Sequence, residues 1–383
     1  MKFSSLFRSL VLRGLSGVLA FGVWSSASAG EAPIKIGQYG AFTGKEASFG
    51  IAARKGVILA IEEANAAGGV LGRPLELIAE DNQSKAGESA TIAKKFASRD
   101  KVVAVLGGNP STNSLEAAPI LQNAKIPMIA ISSTNPRVTE MGSYIFRVCF
   151  IDPFQGAVLA KFAGDTLKAK RAAIITSVNN PYSVGISKVF REKFSAAAGE
   201  VVIEQRHSEG DKDFRAQLTA IKNAGVDCIF HSGNYTEGAL ICIQARQLGF
   251  TGPLFGGDAW EAPQLIEIGG KAVEGVYYST HGSPESTAPE MRNFVTKFRA
   301  RWDGETPDSI AALGYDAALL LLDSLRRAGT TDGPKLRDTI AATAGFHGAT
   351  GRITIDAQRN ASKSAVILTV KNGKFAYVET VEP

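Results

Sequence analysis

The sequence predicts an α/β protein built from two doubly wound parallel-sheet lobes. Three observations carry this. Short apolar runs alternate with amphipathic helical patterns, as in βαβ units that place helices on both faces of a parallel sheet. The alternation completes one cycle by about residue 150 and restarts at similar length, which predicts two similar lobes rather than a short solenoid repeat. No Pro/Ser-rich linker lies between the halves, so the lobes are expected to meet at short, ordered crossovers.

In the first cycle, Ile34–Tyr39 (IKIGQY) is a short apolar strand. Phe49–Ala66 is a helix, because Val57, Ala60, Ile61 and Ala64 fall at the i, i+3, i+4, i+7 spacing, and Gly68-Gly69 ends it. Strands follow at Leu75–Ala79, Val102–Leu106, Pro127–Ile131 and Tyr144–Val148, with helices at Glu88–Ser98 and Ser114–Asn123. The second cycle places helices at Phe154–Leu167, Val184–Ala197, Phe214–Asn223 and Glu237–Leu248. Its strands are Ala172–Thr176, Val201–Gln205, Cys228–His231, Leu254–Gly256 and Val276–Ser279. The last hundred or so residues change character: long helices at Ala288–Trp302 and Ile310–Ala328, a third at Pro334–Thr343, and a strand at Arg352–Ile355. Ala365–Val370 and Phe375–Glu379 flank Lys371-Asn372-Gly373-Lys374, a hairpin signal, since Asn-Gly supports the positive φ angles of a two-residue turn.

Composition narrows the function classes. Of 383 residues, 45% are hydrophobic and 21% charged, which suits a folded, soluble chain with ample core. The first 29 residues hold Lys2, Arg8 and Arg13 but no acid, then an apolar run Gly14–Trp24 and an Ala27-Ser28-Ala29 end. That is the pattern of a secretory signal cleaved after Ala29; an uncleaved anchor or a mitochondrial presequence is the alternative. Cleavage leaves 354 residues and lowers the formal charge from +5 to +2, because three bases and no acid are removed. With no dense Lys/Arg tract left, nucleic acid is not an expected partner. No later run approaches 18 apolar residues. Cys149, Cys228 and Cys242 lie far from the cleavage site, so no cysteine is placed to carry a lipid, and a periplasmic location is expected. Cys149 and Cys228 stand in apolar strand-like runs, and no structural disulfide is expected.

In open α/β sheets ligands bind beyond the carboxyl ends of strands, where helix N-termini point. The first-half loops there are Gly40–Gly44 with Ser48-Phe49-Gly50, Gly107–Asn113 (including Asn109 and Ser111), and Ser132-Ser133-Thr134-Asn135-Pro136. Backbone N–H groups and Ser or Thr hydroxyls in such loops suit a small anion. The second-half loops are Asn179-Asn180-Pro181-Tyr182, Ser232–Thr236 (including Asn234), and Gly256-Gly257-Asp258-Ala259-Trp260. Asp258 is an acid able to hold a cation. A carboxylate receptor on one lobe and a carboxylate on the other would suit an α-amino acid. The same residues are also ordinary in turns and caps, and Phe49 and Tyr182 also suit packing.

These loops carry a resemblance. IKIGQYGAFTG (Ile34–Gly44), AIEEANAAGGVLG (Ala60–Gly72), SSTNPRVTE (Ser132–Glu140), GDKDF (Gly210–Phe214) and ALGYDAA (Ala311–Ala317) occur in the order found in the leucine/isoleucine/valine-binding proteins. The mature chain resembles that family, the periplasmic receptors of branched-chain amino acid ABC importers, over nearly all its length. The resemblance implies a type I periplasmic binding fold whose lobes are joined by three crossovers. One lobe would take residues 30–150 plus 282–358 and the other 151–281 plus 359–383. It also implies ligand contacts. Ser111, Ser132 and Thr134, with Ser133 beside them, would grip the α-carboxylate and part of the ammonium, and Asp258 would pair with the ammonium. Phe49 and Tyr182 would be aromatic cleft residues. The sequence departs from the family in three places. Asn234 stands where an aromatic is usual, with Tyr235 adjacent; Asn109-Pro110 replaces a more apolar pair; and Gln83 and Pro110 stand near the positions of a disulfide found in close relatives.

The expected function is capture of an α-amino acid, branched-chain or otherwise hydrophobic, by lobe closure and its delivery to a membrane permease. The protein is expected to be a monomer and to need no cofactor. A receptor for an amide, urea or carboxylate, or a periplasmic sensor, is the alternative. An enzyme is not expected. The sequence holds no G-x-S-x-G, H-E-x-x-H, Walker or G-x-G-x-x-G motif, and His207, His231, His281 and His347 are too scattered for a metal pattern.

Overall fold

The computed structural model describes residues 31–382. The export signal expected over residues 1–29 lies outside the described residues. The first cycle forms β1 (Ile34–Gly40), α1 (Ala47–Ala66), β2 (Leu75–Asp81), α2 (Glu88–Lys95, continued by a π turn to Asp100), β3 (Ala104–Gly107), α3 (Ser111–Ala124), β4 (Met128–Ala130), α4 (Arg137–Glu140) and β5 (Ile145–Arg147). These strands make one parallel sheet in the order β2-β1-β3-β4-β5. The second cycle forms α5 (Asp152–Lys161, continued by a π turn to Thr166), β6 (Arg171–Ser177), α6 (Pro181–Ala196), β7 (Glu200–His207), α7 (Arg215–Ala224), β8 (Cys228–His231), α8 (Tyr235–Gln247), β9 (Leu254–Gly256), α9 (Pro263–Gly269) and β10 (Tyr277–Thr280). Its strands pair as β7-β6-β8-β9-β10, the order of the first sheet repeated. In both sheets the order reverses beside the first strand, so each lobe has one topological switch point where loops part and leave a crevice.

The remaining chain serves both lobes. Three helices, α10 (Pro289–Arg301), α11 (Ser309–Ala328) and α12 (Gly333–Ala341), precede a small sheet of β11 (Phe346–Gly348), β12 (Gly351–Ile355) and β13 (Ala361–Ser362). β14 (Ala365–Lys371) and β15 (Lys374–Val381) then extend the second sheet antiparallel beyond β10. Their Asn372-Gly373 turn has φ of 54° and 67°, as a two-residue hairpin of the Asn-Gly kind requires, and Glu274 accepts both turn N–H groups. α11 packs on α1 through small residues: a Cβ on Gly56 would lie 1.9 Å from the Ala311 carbonyl oxygen, and one on Gly314 2.3 Å from that of Ala53. Only glycine allows the two backbones this close.

The apolar patterns locate the elements, but helix starts are displaced. α3, α6 and α8 begin at Ser111, Pro181 and Tyr235, two to three residues before their amphipathic patterns at Ser114, Val184 and Glu237. Their first turns lie beyond the sheet, so nothing there requires an apolar residue. The short α4, α9, β11 and β13 have too few residues to show a period and were not anticipated. Cys149, Cys228 and Cys242 are free and buried. Among the described residues no helix is long and apolar enough to cross a membrane.

Candidate functional site

The carboxyl ends of the two sheets border a cleft that encloses, with its mouth, about 340 Å³. One wall comes from loops after β1, β3 and β4: Phe49, Asn109, Pro110, Ser111, Ser132 and Thr134, with Ile310 from α11. Ser111 is the first residue of α3, whose N-terminus has no side-chain cap; the Asn113 N–H turns to the Pro110 carbonyl at 3.0 Å, and the Ser111 and Thr112 N–H groups before it have no partner within the helix. The Ser111 hydroxyl accepts from the Asn135 N–H at 3.2 Å, which leaves its own proton to donate. Ser132 and Thr134 alternate with Ser133 along an extended segment, so the first two share a face. The fully buried Arg147 braces this segment, donating to the backbone carbonyls of Ser133 and Asn135, the latter at 2.8 Å.

The facing wall is Tyr182, Asn234, Asp258 and Ala259. Asp258 is buried, and two second-lobe groups orient it. Gln155 Nε2 donates to Oδ1 at 2.8 Å, and His281 Nε2 lies 3.1 Å from Oδ2. Burial lowers the His281 pKa while the Asp258 charge opposes it; a neutral ring donates through Nε2. The His281 ring is stacked on Phe150 at 3.9 Å. Behind Thr134, Asp152 is buried, and burial pushes its pKa up to about 8 against the opposing pull of the Thr134 hydroxyl. Gln155 Oε1 and Asn234 Oδ1 are buried at the cleft without a partner. Buried polar atoms ordinarily find partners, so this clustering points to a polar ligand or waters.

The turn that presents Asp258 is itself anchored. Trp260 Nε1 donates to His231 Nδ1 at 3.2 Å, His231 Nε2 meets His207 Nε2 at 3.1 Å, and His207 Nδ1 lies 2.9 Å from the Ser208 carbonyl. The Trp donor and the carbonyl acceptor impose one proton order on two neutral rings. Burial, with His207 beside it, holds the His231 pKa well below its usual value. On the other side of the turn, Glu261 accepts from the N–H and hydroxyl of Ser309 at the start of α11.

The lobes touch around the mouth. Lys45 Nζ pairs with Glu209 at 2.7 Å, Ser48 donates to Gln264 at 2.6 Å, Tyr235 Oη donates to the Lys45 carbonyl at 2.7 Å, and Asn135 Nδ2 donates to the Pro181 carbonyl at 2.9 Å. Phe49 meets Tyr235 edge to face at 5.3 Å. The structure is therefore a closed form.

Of the nine residues expected in the site, Phe49, Asn109, Ser111, Ser132, Thr134, Tyr182, Asn234 and Asp258 line the cleft. Ser133 does not. Its hydroxyl donates to the Gly108 carbonyl at 2.6 Å and meets Ser114 Oγ at 2.9 Å, because period-two alternation turns it inward. Sequence reasoning missed Gln155, Arg147, Asp152 and His281. His281 directly follows β10, a signal that could have found it; Arg147 ends β5, Asp152 and Gln155 lie in the first turn of α5, and only the fold brings Gln155 to Asp258. Among the described residues no group of His, Cys, Asp and Glu is arranged to hold a metal ion.

Comparison with known proteins identifies the family and the fold. The sequence profile of the periplasmic binding protein family matches residues 33–374. A leucine binding protein from Thermotoga maritima is 42% identical, with a TM-score of 0.87 covering 91% of this chain and 99% of that one. A branched-chain amino acid transporter substrate binding protein from Streptococcus pneumoniae, solved with isoleucine, is 32% identical, with a TM-score of 0.87 covering 92% and 100%. A Leu/Ile/Val-binding protein homolog from Brucella abortus is 29% identical over 353 residues, which covers 91% of this chain and 94% of that protein.

Proposed function

Because this chain belongs to the periplasmic binding protein family, we propose that it captures one α-amino acid between its lobes and passes it to the permease of an ABC importer. The observation that carries the reading is the pairing of opposite walls. Donors at Ser111, Ser132, Thr134 and the uncapped start of α3 face a buried carboxylate, Asp258, across the cleft. A carboxylate ligand group suits the first wall and an ammonium the second. A simple acid lacks the cation, and Asp258 would repel it. The relatives named for leucine and solved with isoleucine make aliphatic α-amino acids the first to test.

Capture proceeds by closure. In an open form the ligand docks on the first-lobe loops; Asp258 and Tyr182 reach it only when the lobes close. That differential contact shifts the population toward the closed form. Hinge motion is assigned to three crossovers, near 150/151, 281/282 and 358/359, where Phe150 and His281 stack behind Asp258. The protein acts as a periplasmic monomer, and its family is one of binding proteins rather than enzymes.

Titration calorimetry tests the reading. Leucine or a related α-amino acid should bind, and its deaminated acid should not. Asp258→Ala should weaken binding at least about a hundredfold, since leaving one partner of a buried ion pair alone costs about 3–5 kcal/mol. An unchanged dissociation constant in Asp258→Ala would remove Asp258 from the ammonium site.

A further inference from the structure

Asn234 precedes α8 in extended backbone, with φ −77° and ψ 166°, where an asparagine ordinarily accepts from the helix's first N–H groups. Here its side chain makes no such bond. Instead Nδ2 reaches Glu209 Oε1 at 3.3 Å, an oxygen that also takes Asn180 Nδ2 at 2.8 Å. This fixes the amide's orientation, because a flipped amide would set its oxygen against the carboxylate. The consequence is that Oδ1 is buried with no donor, in a residue only 8% exposed that lines the cleft.

The surroundings supply acceptors rather than donors. Glu209, which accepts from Asn234 Nδ2, lies near Glu46 and Glu237. The cation among them, Lys45, is committed to Glu209 at 2.7 Å and Glu46 at 3.8 Å. The bond to Glu209 also polarises the Asn234 amide and strengthens Oδ1 as an acceptor. A ligand whose side chain ends in carbon would bury this acceptor unmet; one carrying an O–H or N–H would satisfy it.

We propose that Asn234 makes the cleft selective for an α-amino acid whose side chain carries a hydrogen-bond donor, a hydroxyl or a carboxamide, over its apolar isostere. The proposal rests on the amino acid capture reading and sharpens it. Phe49 and Ile310 remain as apolar wall, so a short side chain with one polar end fits best.

Isosteric pairs isolate the donor. Calorimetry on the purified protein with threonine against valine, and asparagine against leucine, holds the number and branching of the side chain's non-hydrogen atoms constant. The donor-bearing member of at least one pair should bind fivefold or more tighter, the scale of a buried acceptor left unmet. Asn234→Leu should abolish or invert that preference while both members still bind. If the wild-type protein binds these amino acids and neither pair shows a fivefold preference for the donor, the inference is overturned and the capture reading stands. If Asn234→Leu keeps the preference, Asn234 is not its source. If no α-amino acid binds at all, the capture reading falls and the inference with it. The wild-type pairs decide the question even if the variant does not fold.

Discussion

Ser133 stands between two cleft residues yet belongs to the interior. Its hydroxyl joins Gly108 and Ser114 within the first lobe, whereas that of Ser111 keeps a free proton at the cleft. The two serines should therefore fail differently. Ser133→Ala should lose about 1–3 kcal/mol of stability in urea denaturation, because Ser114 and the Gly108 carbonyl lose a buried partner, with little change in affinity. Ser111→Ala should weaken ligand binding by a similar energy in calorimetry and leave stability nearly unchanged. The reverse pattern would reassign the two hydroxyls. At this scale the sequence was informative about residue type and position after a strand. It could not say which of three adjacent hydroxyls turns inward, because that depends on the register of the segment against β3 and the Arg147 brace.

At the scale of an element, the Asp258–Glu261 turn is held by side chains from β7 and β8 that are more than twenty residues away in sequence. Proton order makes this anchor pH-dependent. The His231 pKa is depressed in the folded state, so its contribution to stability is full above the ordinary histidine value of about 6.5 and is lost as pH falls below it. Melting temperatures scanned from pH 7.5 to 5 should therefore fall more steeply for the wild type than for His231→Gln, which has no ring to protonate. Parallel curves would show that His231 is not the source of the pH dependence. The helices carry a second lesson. α3, α6 and α8 start earlier than their apolar period suggests, and the omitted turns border the cleft. Periodicity reports burial against a sheet, so it falls silent where a helix faces ligand.

For the whole molecule the question is how two lobes hold a closed position. The mouth contacts are few and, apart from Phe49 against Tyr235, polar, and a half-exposed pair such as Lys45–Glu209 contributes only about 0–1 kcal/mol. Closure must then depend mostly on ligand. Tyr235→Phe deletes the bond to the Lys45 carbonyl and keeps the ring against Phe49. It should weaken ligand binding by a few-fold to about tenfold, since a typical hydrogen bond contributes about 0.5–1.5 kcal/mol. Small-angle scattering should show compaction on ligand addition in both proteins. Unchanged affinity would mean that this contact forms without favouring the closed state.

The two sheets, their largely parallel sense and most cleft residues are properties of local pattern: apolar runs of strand length, helical periods, an Asn-Gly turn, and polar loops after strands. Such patterns survive in one dimension because each reflects a neighbour within a few residues. Tertiary structure decided the rest. It placed Gln155 and His281 on Asp258 from 103 and 23 residues away, paired His207 with His231, and left Asn234 Oδ1 without a donor. These outcomes depend on which crossovers bring distant segments together and on which polar groups find no partner once they do, and no local period records either.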